Sequence, residues 1–222
     1  MDKVFYWNKF AWRHPLLKII KPNQSYGEIL ELGASGNSSV SFFFNSFSKR
    51  TITCYPEKEL DSLNQLVVSQ TQCENVITMP MSIHEVSGRY DLIIMKSVLG
   101  GVCRLNSSDD CHMHLINQLV DRNLTENGQL ITLDNGYSIF ESLLSKFGAR
   151  KNRWRFFHKE DFQNFSQQEC FGFFTAFSFR TRIGIVGSFI EHILFALDFF
   201  LIPFHRNRYP TVIVTKFSKA LG

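Results

Sequence analysis

A glycine-rich segment near the start of the chain has the residue types that can hold a ligand against the backbone. The apolar run 28–32 contains Glu31, and Gly33, Ala34 and Gly36 follow it. Glycines allow a ligand to come close to the backbone, and a following helix would present free N–H groups. Glu31 could order this loop or accept hydrogen bonds from a ligand amine. The same residues are also compatible with an ordinary structural turn.

The spacing of these glycines excludes two phosphate-binding motifs. The G-x-G-x-x-G pattern of dinucleotide-binding proteins is absent, because Ser35 stands where the middle glycine would be. A Walker phosphate loop is absent as well, because no Gly-Lys-Ser/Thr follows. Any ligand at this turn is therefore neither a dinucleotide nor a triphosphate bound in those ways.

Two residues further along the chain could accept a proton. Asp134 ends an apolar segment and could meet a substrate hydroxyl or a metal, or it could form an Asx turn with Asn135 and Gly136. His112 and His114 are two residues apart in a helical pattern, so they cannot face the same way. One of them could point toward a site, and the alternative is a solvated or capping histidine.

The pattern of apolar residues predicts the elements that position these side chains. From residue 28 onward, short β-rich runs alternate with stretches of helical spacing. Such alternation predicts an α/β fold with a doubly wound, mainly parallel, Rossmann-like sheet, helices on both faces and an antiparallel C-terminal strand pair. The predicted strands are EILEL, RTITCY, NVITMPM, DLIIM and QLITLDN. The predicted helices are NSSVSFFFNSF, EKELDSLNQLVVSQ, DDCHMHLINQLVDRNL and SIFESLLSKFG.

The turns at the carboxyl ends of these strands should surround one site. Ligands of doubly wound sheets bind outside the carboxyl ends of the strands, where the strand order reverses. The turns after strands one, two, four and five are residues 33–37, 55–57, 97–101 and 134–137.

At these turns the chain resembles a known family. ILELGASGN resembles motif I of the class I S-adenosylmethionine-dependent methyltransferases. YDLIIMKSVLGG resembles the fourth strand of this family with its following loop, and LTENGQLITLDN resembles the turn and the fifth strand. The C-terminal segments NRWRFFHKEDFQNF, FGFFTAFSFR and RYPTVIVTKF are similar to methyltransferases encoded with bacterial surface-polysaccharide genes. The resemblance implies S-adenosylmethionine as cofactor. It also implies O-methylation of a sugar of a bacterial surface polysaccharide or of its lipid-linked precursor.

The resemblance also implies which residues hold the cofactor. The motif I backbone of the family binds the methionine part, so Glu31, Gly33 and Gly36 carry over. Glu57 is the nearest acid for the ribose, although Pro56 could tilt it away, and it could instead be a carboxylate favoured by a helix dipole. Ser82 and Ile83 stand where the family often has an acid, and they would serve by backbone and apolar contact. The implied cofactor-binding residues are Glu31, Gly33, Ala34, Gly36, Tyr55, Glu57, Ser82, Ile83 and Ser97.

Methyl transfer to a sugar hydroxyl would need a base, because a hydroxyl is a poor nucleophile at neutral pH. Asp134 and His112 are the predicted catalytic residues, and no metal is predicted. Tyr137, Trp154 and Arg155 are the predicted substrate contacts, since aromatic faces stack on sugar C–H surfaces. The alternative for Trp154 and Arg155 is a segment that only covers the edge of the sheet.

Composition narrows the class of protein. The net charge of +4 is scattered along the chain, which argues against a nucleic-acid partner. The five cysteines are widely spaced without a C-x-x-C pair, so neither a zinc cluster nor a secreted disulfide scaffold is predicted. The N-terminal residues have no signal-peptide core, and we expect a cytoplasmic location.

Residues 183–204 form a mostly apolar segment that is long enough to span a membrane. Glu191, His192 and Asp198 lie within it, and ionisable groups at such positions disfavour a span. The alternatives are a core or cover helix, a homodimer helix, peripheral contact with the inner face of the cell membrane, and a span. Peripheral contact would suit a lipid-linked glycan acceptor.

Three parts of the chain are expected from these patterns: an aromatic and basic arm (1–25), a cofactor-binding core (26–150) and a C-terminal substrate and cover region that completes the sheet (151–222). Tyr6, Trp7 and Trp12 of the arm could close over a substrate or pin the arm to the core. Two other functions stay open. One is methylation of a small metabolite or lipid, which the phenylalanine-rich end would suit. The other is a non-catalytic protein of the same fold that binds a partner through its last third.

Overall fold

The computed structural model contains one seven-stranded sheet with the strand order β3-β2-β1-β4-β5-β7-β6. The residues that it describes are 4–5, 9–21, 23–70, 75–104, 110–139, 154–177, 184–205 and 209–219. The strands are β1 (Tyr26–Leu32), β2 (Phe47–Cys54), β3 (Val76–Pro80), β4 (Tyr90–Lys96), β5 (Leu124–Asn135), β6 (Gln167–Phe171) and β7 (Val212–Ser218). The α-helices are α1 (Lys9–Ile19), α2 (Leu60–Val68), α3 (Leu99–Val102), α4 (Cys111–Asn123) and α5 (Gly184–His205). Short 3-10 helices cover Val40–Phe43, Glu57–Glu59, Ile83–Glu85, Lys159–Asp161 and Phe174–Phe177.

The pairing of the strands confirms the predicted fold class. Strands β1 to β5 pair in parallel, and β7 lies antiparallel between β5 and β6. Leu32 of β1 pairs with Met95 of β4, which pairs with Thr132 of β5. The turns after β1 and β4 therefore lie side by side at one edge of the sheet, and β5 extends three residues past Thr132 at the same edge before its own turn begins.

Helices cover both faces of the sheet because the central strands are apolar on both sides. Ile29, Ile94 and Ile131 belong to the core on the α1 side. Their sequence neighbours, such as Leu30 and Ile93, belong to the core on the α4 side. Alternate residues of a strand point to opposite faces, so each central strand contributes to both cores.

Helix α1 is part of the core, and its burial distinguishes between the two roles predicted for Trp12. Trp12 and Leu16 are fully buried against the α1 side of the sheet. The ammonium of Lys96 lies 5.1 Å from the centre of the Trp12 ring. Trp12 therefore pins the arm to the core and does not close over a substrate, whereas Tyr6 and Trp7 lie outside the described residues.

The prediction of an α-helix between β1 and β2 is wrong. A 3-10 helix, Val40–Phe43, stands there, and β2 begins soon after it. Phe43 and Phe44 pack into the α1-side core, whereas Phe42 packs against the separate cluster beneath α2. Consecutive phenylalanines that serve two cores do not form the single apolar stripe of a helix, and the serines and asparagines around them favour turns. The helix predicted after β5, residues 138–148, lies almost wholly outside the described residues.

Asp198 anchors α5 to the rest of the protein. Its carboxylate is fully buried and accepts hydrogen bonds from the backbone N–H groups of Phe173, Phe174 and Thr175 at 2.7 to 2.8 Å. Three donors satisfy a charge that would otherwise be costly inside the protein. Within the described part of the chain, no helix has both the length and the apolar character needed to cross a membrane.

Removing the Asp198 carboxylate should destabilise the protein. In Asp198→Ala, three buried N–H groups lose their acceptor, and we expect the free energy of unfolding to fall by about 3 kcal/mol. Urea denaturation would measure the change. The matched control is Asp121→Ala, because Asp121 is exposed on α4. Equal denaturation midpoints for the two variants would contradict the anchoring role.

Candidate functional site

The loop after β1 is ordered by the buried carboxylate of Glu31. Its Oε1 accepts a hydrogen bond from the N–H of Val40 at 2.8 Å. Its Oε2 accepts one from the N–H of Ser41 at 2.9 Å and another from the hydroxyl of Ser39. Glu31 thus performs the first of its two predicted roles, and a bond to a ligand amine stays a prediction.

The two glycines of this loop make room for protein neighbours. Gly33 has a left-handed backbone (φ +75°), and a Cβ there would lie 2.5 Å from Cγ2 of Val98. A Cβ on Gly36 would overlap Ser62 of α2. The N–H of Ala34 donates to the carbonyl of Thr53 at 2.8 Å. Packing against neighbouring elements is therefore sufficient to explain why both positions are glycine. A ligand at this turn would contact backbone that these neighbours already hold in place.

Ser97 and Asn135 join the turns after β4 and β5. Ser97 has a left-handed backbone (φ 57°), and its N–H donates to the carbonyl of Leu133 at 2.7 Å. The amide of Asn135 donates to the Ser97 hydroxyl at 3.1 Å. Sequence reasoning found Ser97 but read Asn135 only as a turn residue. Together they present polar groups at the point where the strand order reverses.

Asp134 is the most unusual ionisable group among the described residues. It is 1% exposed, and its Oδ2 has no hydrogen-bond partner among the residues the structure describes. Burial raises the pKa of the carboxyl to about 7, partly opposed by the Thr132 hydroxyl. A carboxyl that titrates near neutrality can act as a general base at physiological pH. Asp134 pairs with Ile213 and shares its face of the sheet, the α4 side.

His112 is buried on the same side of the sheet as Asp134. Its ring lies 5.1 Å from that of Phe157 and 5.6 Å from that of Phe162, centre to centre. Its Nε2 is 2.6 Å from the backbone carbonyl oxygen of Asp161. Because a carbonyl only accepts, Nε2 carries a proton and donates it to this bond, and the buried Nδ1 has no hydrogen-bond partner among the described residues. His112 is neither solvated nor capping: it holds the segment around Phe157 against α4, and its catalytic role stays a prediction.

A pair of thiols, missed by sequence reasoning, lies close to these groups. Cys103 is buried and hydrogen bonds with Cys111. Burial, together with the Cys111 hydrogen bond and the Asp134 charge, raises the pKa of the Cys103 thiol, while the Arg155 guanidinium acts to lower it. Cys103 therefore lies within electrostatic reach of both Asp134 and Arg155. Nothing in the spacing of these residues along the chain signals this.

Trp154 and Arg155 dock on the turn after β4. A Cβ on Gly100 would overlap the indole Nε1 of Trp154, and one on Gly101 would lie 2.9 Å from the ring. The N–H of Arg155 donates to the carbonyl of Gly100 at 2.9 Å. The guanidinium of Arg155 lies 5.4 Å from the centre of the Phe157 ring. This geometry matches the predicted cover over the sheet edge, and the sugar contact stays a prediction.

Tyr137 lies at the same end of the sheet. Its ring is 4.6 Å from that of His158, centre to centre, and its N–H donates to the carbonyl of Phe157 at 2.7 Å. Two aromatic faces, Tyr137 and Trp154, are thus fixed by backbone bonds beside the ends of β4 and β5. Both side chains are half-buried.

The remaining candidates follow β2 and β3. Tyr55 is 73% exposed, and Glu57 is an exposed residue that begins the 3-10 helix Glu57–Glu59. Ser82 caps the 3-10 helix Ile83–Glu85, with its own N–H donating to Glu85 Oε2 at 2.8 Å. Ile83 is buried in the α4-side core. The exposed pair Tyr55 and Glu57 is free to meet a ligand, whereas the N–H of Ser82 is already engaged.

The predicted residues thus form two neighbouring groups at one edge of the sheet. The first group follows β1, β4 and β5 and contains residues 31–36, Ser97, Asp134, Tyr137 and 154–155. The second group follows β2 and β3 and contains Tyr55, Glu57, Ser82 and Ile83. The described residues include no group of three or more histidine, cysteine, aspartate or glutamate side chains that could hold a metal.

Comparison with known proteins gives structural relatives only. No family model matches the sequence, and no curated protein matches it. The magnesium protoporphyrin IX methyltransferase of Synechocystis PCC 6803, solved with bound SAH, is similar with a TM-score of 0.57, 12% identity and coverage of 96% of this chain and 84% of that chain. Coclaurine N-methyltransferase, bound to N-methylheliamine and SAH, is similar with a TM-score of 0.57 and 11% identity. The match covers 95% of this chain and 70% of that chain.

A third relative is matched only in part. For the mitomycin 7-O-methyltransferase MmcR the TM-score is 0.45 at 14% identity, and the match covers 62% of this chain but 38% of that one. This chain therefore spans well under half of that enzyme. At these identities the likeness to the first two relatives shows the fold alone, and it confirms the Rossmann-like methyltransferase fold predicted from the sequence.

The raised pKa of Asp134 should make stability depend on pH. The pKa lies above the ordinary value of 3.8, so the folded protein keeps a proton that the unfolded chain releases between these pH values. The free energy of unfolding should therefore fall as pH rises through this window, by up to roughly 4 kcal/mol. Asp134→Asn lacks this titration, and urea denaturation from about pH 4 to about pH 8 should show its stability gaining on the wild type.

The control for this experiment is Asp121→Asn, at an exposed position of α4. Its stability should keep a constant difference from the wild type over the same pH range. A constant difference for Asp134→Asn as well would show that Asp134 titrates like an exposed carboxylate.

Proposed function

We propose that this chain is an S-adenosylmethionine-dependent methyltransferase. The observation that carries the proposal is the reversal of strand order between β1 and β4, where the left-handed turns at Gly33 and Ser97 lie side by side. Ligands of doubly wound sheets bind at this reversal. The two whole-chain structural relatives, which share the fold, both contain SAH.

The residues at this edge fit the cofactor in their chemistry. The loop at 33–36 and Ser97 would hold the methionine part, and the exposed carboxylate of Glu57 would accept hydrogen bonds from the ribose hydroxyls. The exposed ring of Tyr55 offers an apolar face beside Glu57. When bound, the cofactor supplies the methyl group on a sulfonium, which is the electrophile.

The chain itself would align the acceptor and take its proton. Asp134 is the proposed base, since its unpartnered Oδ2 and its pKa of about 7 suit proton acceptance at neutral pH. The cover formed by Trp154 and Arg155 lies close to this carboxyl and would exclude water during transfer. His112 would act through the segment it holds, by positioning Phe157 and the residues beside it.

For the acceptor we favour a sugar of a bacterial surface polysaccharide or of its lipid-linked precursor. The support is the likeness of the C-terminal segments to enzymes of that kind, together with the faces of Tyr137 and Trp154 beside the Asp134 end of β5. Aromatic faces of this kind stack on sugar C–H surfaces. Arg155 could hold a phosphate or carboxylate of such an acceptor.

Cofactor binding tests the proposal directly. Calorimetric titration with S-adenosylhomocysteine should show binding, and Glu57→Ala should raise the Kd about tenfold by removing charge-assisted hydrogen bonds. Asp61→Ala is the matched control, because Asp61 is an exposed carboxylate of α2 close in sequence. Absence of binding at millimolar ligand would overturn the proposal and favour the non-catalytic alternative. Equal Kd values for the two variants would overturn only the role of Glu57.

The role of Asp134 has its own test. Asp134→Asn should bind S-adenosylhomocysteine like the wild type but lose methyl transfer from radiolabelled S-adenosylmethionine to p-nitrophenyl glycosides, used as model sugars. In the wild type, the rate should rise with pH through about 7, because the base must be ionised. Weaker binding in Asp134→Asn would assign the carboxylate to the cofactor site instead. Transfer only to lipids or small phenols would replace the sugar acceptor.

A further inference from the structure

The outward face of α5 is apolar along most of the helix. Phe189, Ile193, Leu197 and Phe200 are 65%, 44%, 41% and 73% exposed, respectively. Their spacing of three or four residues puts them on one side of the helix, where Ile190 adds a further 38% exposed side chain. An exposed apolar stripe of this length marks an interaction surface on a folded protein.

The opposite side of α5 contacts the rest of the protein. Phe195 lies 5.2 Å from Phe171, ring centre to ring centre, and His192 lies 4.4 Å from Phe10. Asp198 accepts three backbone hydrogen bonds from the turn at 173–175. The two acidic residues of the helix, Asp198 and the half-buried Glu191, are thus kept away from the outward face.

Basic residues flank α5 at both ends of its sequence. Arg180 and Arg182 precede the helix, and Arg206 and Arg208 follow it directly. The helix has 22 residues and is therefore about 33 Å long. An apolar stripe with positive charge at both ends is complementary to an extended anionic surface that has an apolar layer beneath it.

We infer that α5 lies along an anionic phospholipid surface. The stripe of Phe189, Ile193, Leu197 and Phe200 enters the boundary between headgroups and acyl chains, and the flanking arginines attract the lipid phosphates. The charges favour this occupant over a second copy of the chain. Two α5 helices packed face to face would bring arginine pairs together in either orientation, and like charges at an interface are repulsive.

Vesicle flotation with the full-length chain tests this inference. The protein should float with vesicles of phosphatidylcholine mixed with phosphatidylglycerol, should not float with phosphatidylcholine alone, and should be released by high salt. Phe200→Asp and, independently, Phe189→Asp should each lower the bound fraction at least tenfold. Replacing the four flanking arginines with glutamine should have a similar effect.

The matched control is Val68→Asp, because Val68 is a 78% exposed apolar residue of α2, outside the stripe. It should float like the wild type, and the three aspartate variants should keep the wild-type melting temperature, since Phe189, Phe200 and Val68 are exposed. Failure of the wild type to float, or flotation that the arginine replacements leave unchanged, would overturn the inference. So would a dimer in sedimentation velocity that Phe200→Asp dissociates without any vesicle binding, which would assign the stripe to a second copy.

Discussion

A carboxylate inside a protein needs either hydrogen-bond donors or a proton, and three buried carboxylates shape this molecule. Glu31 and Asp198 meet the requirement in the same way. Each accepts bonds from consecutive backbone N–H groups at the start of a short 3-10 helix. Asp134 has no such arrangement for its Oδ2, and its pKa is raised as a result. Two of the three are therefore structural, and the third is the carboxylate that we propose as the base.

The sheet was predictable because its signals are local. The apolar run of β4 and the glycine after β1 are visible in a single stretch of sequence, and the helices between strands fix the parallel pairing. The segment between β1 and β2 was not predictable by periodicity, since Phe42 and Phe43 serve different cores. Only knowledge of the cores themselves distinguishes such a segment from a buried helix.

The positions of the candidate site residues were easier to predict from the sequence than the role of each residue. Topology brings Ser97, Asp134 and Tyr137 to one edge, as expected. The roles depend on contacts between residues far apart in the chain. His112 contacts the carbonyl of Asp161, and Cys103 lies within electrostatic reach of Arg155. Gly100 and Gly101 are the clearest example. In the sequence they indicate only a turn, yet the ring of Trp154 leaves no room for a Cβ at either position.

Because α5 is anchored from its inner side, its inner and outer residues are under different constraints. Substitutions at Phe189, Ile193 or Phe200 change the outer surface without touching the contacts that hold the helix. Such positions can vary while Asp198 and Phe195 stay fixed, so the outer stripe can drift or be redesigned independently of folding. A protein engineer could therefore exchange the outer residues of α5 to change the surface that this helix presents, while the contacts that hold the helix stay as they are.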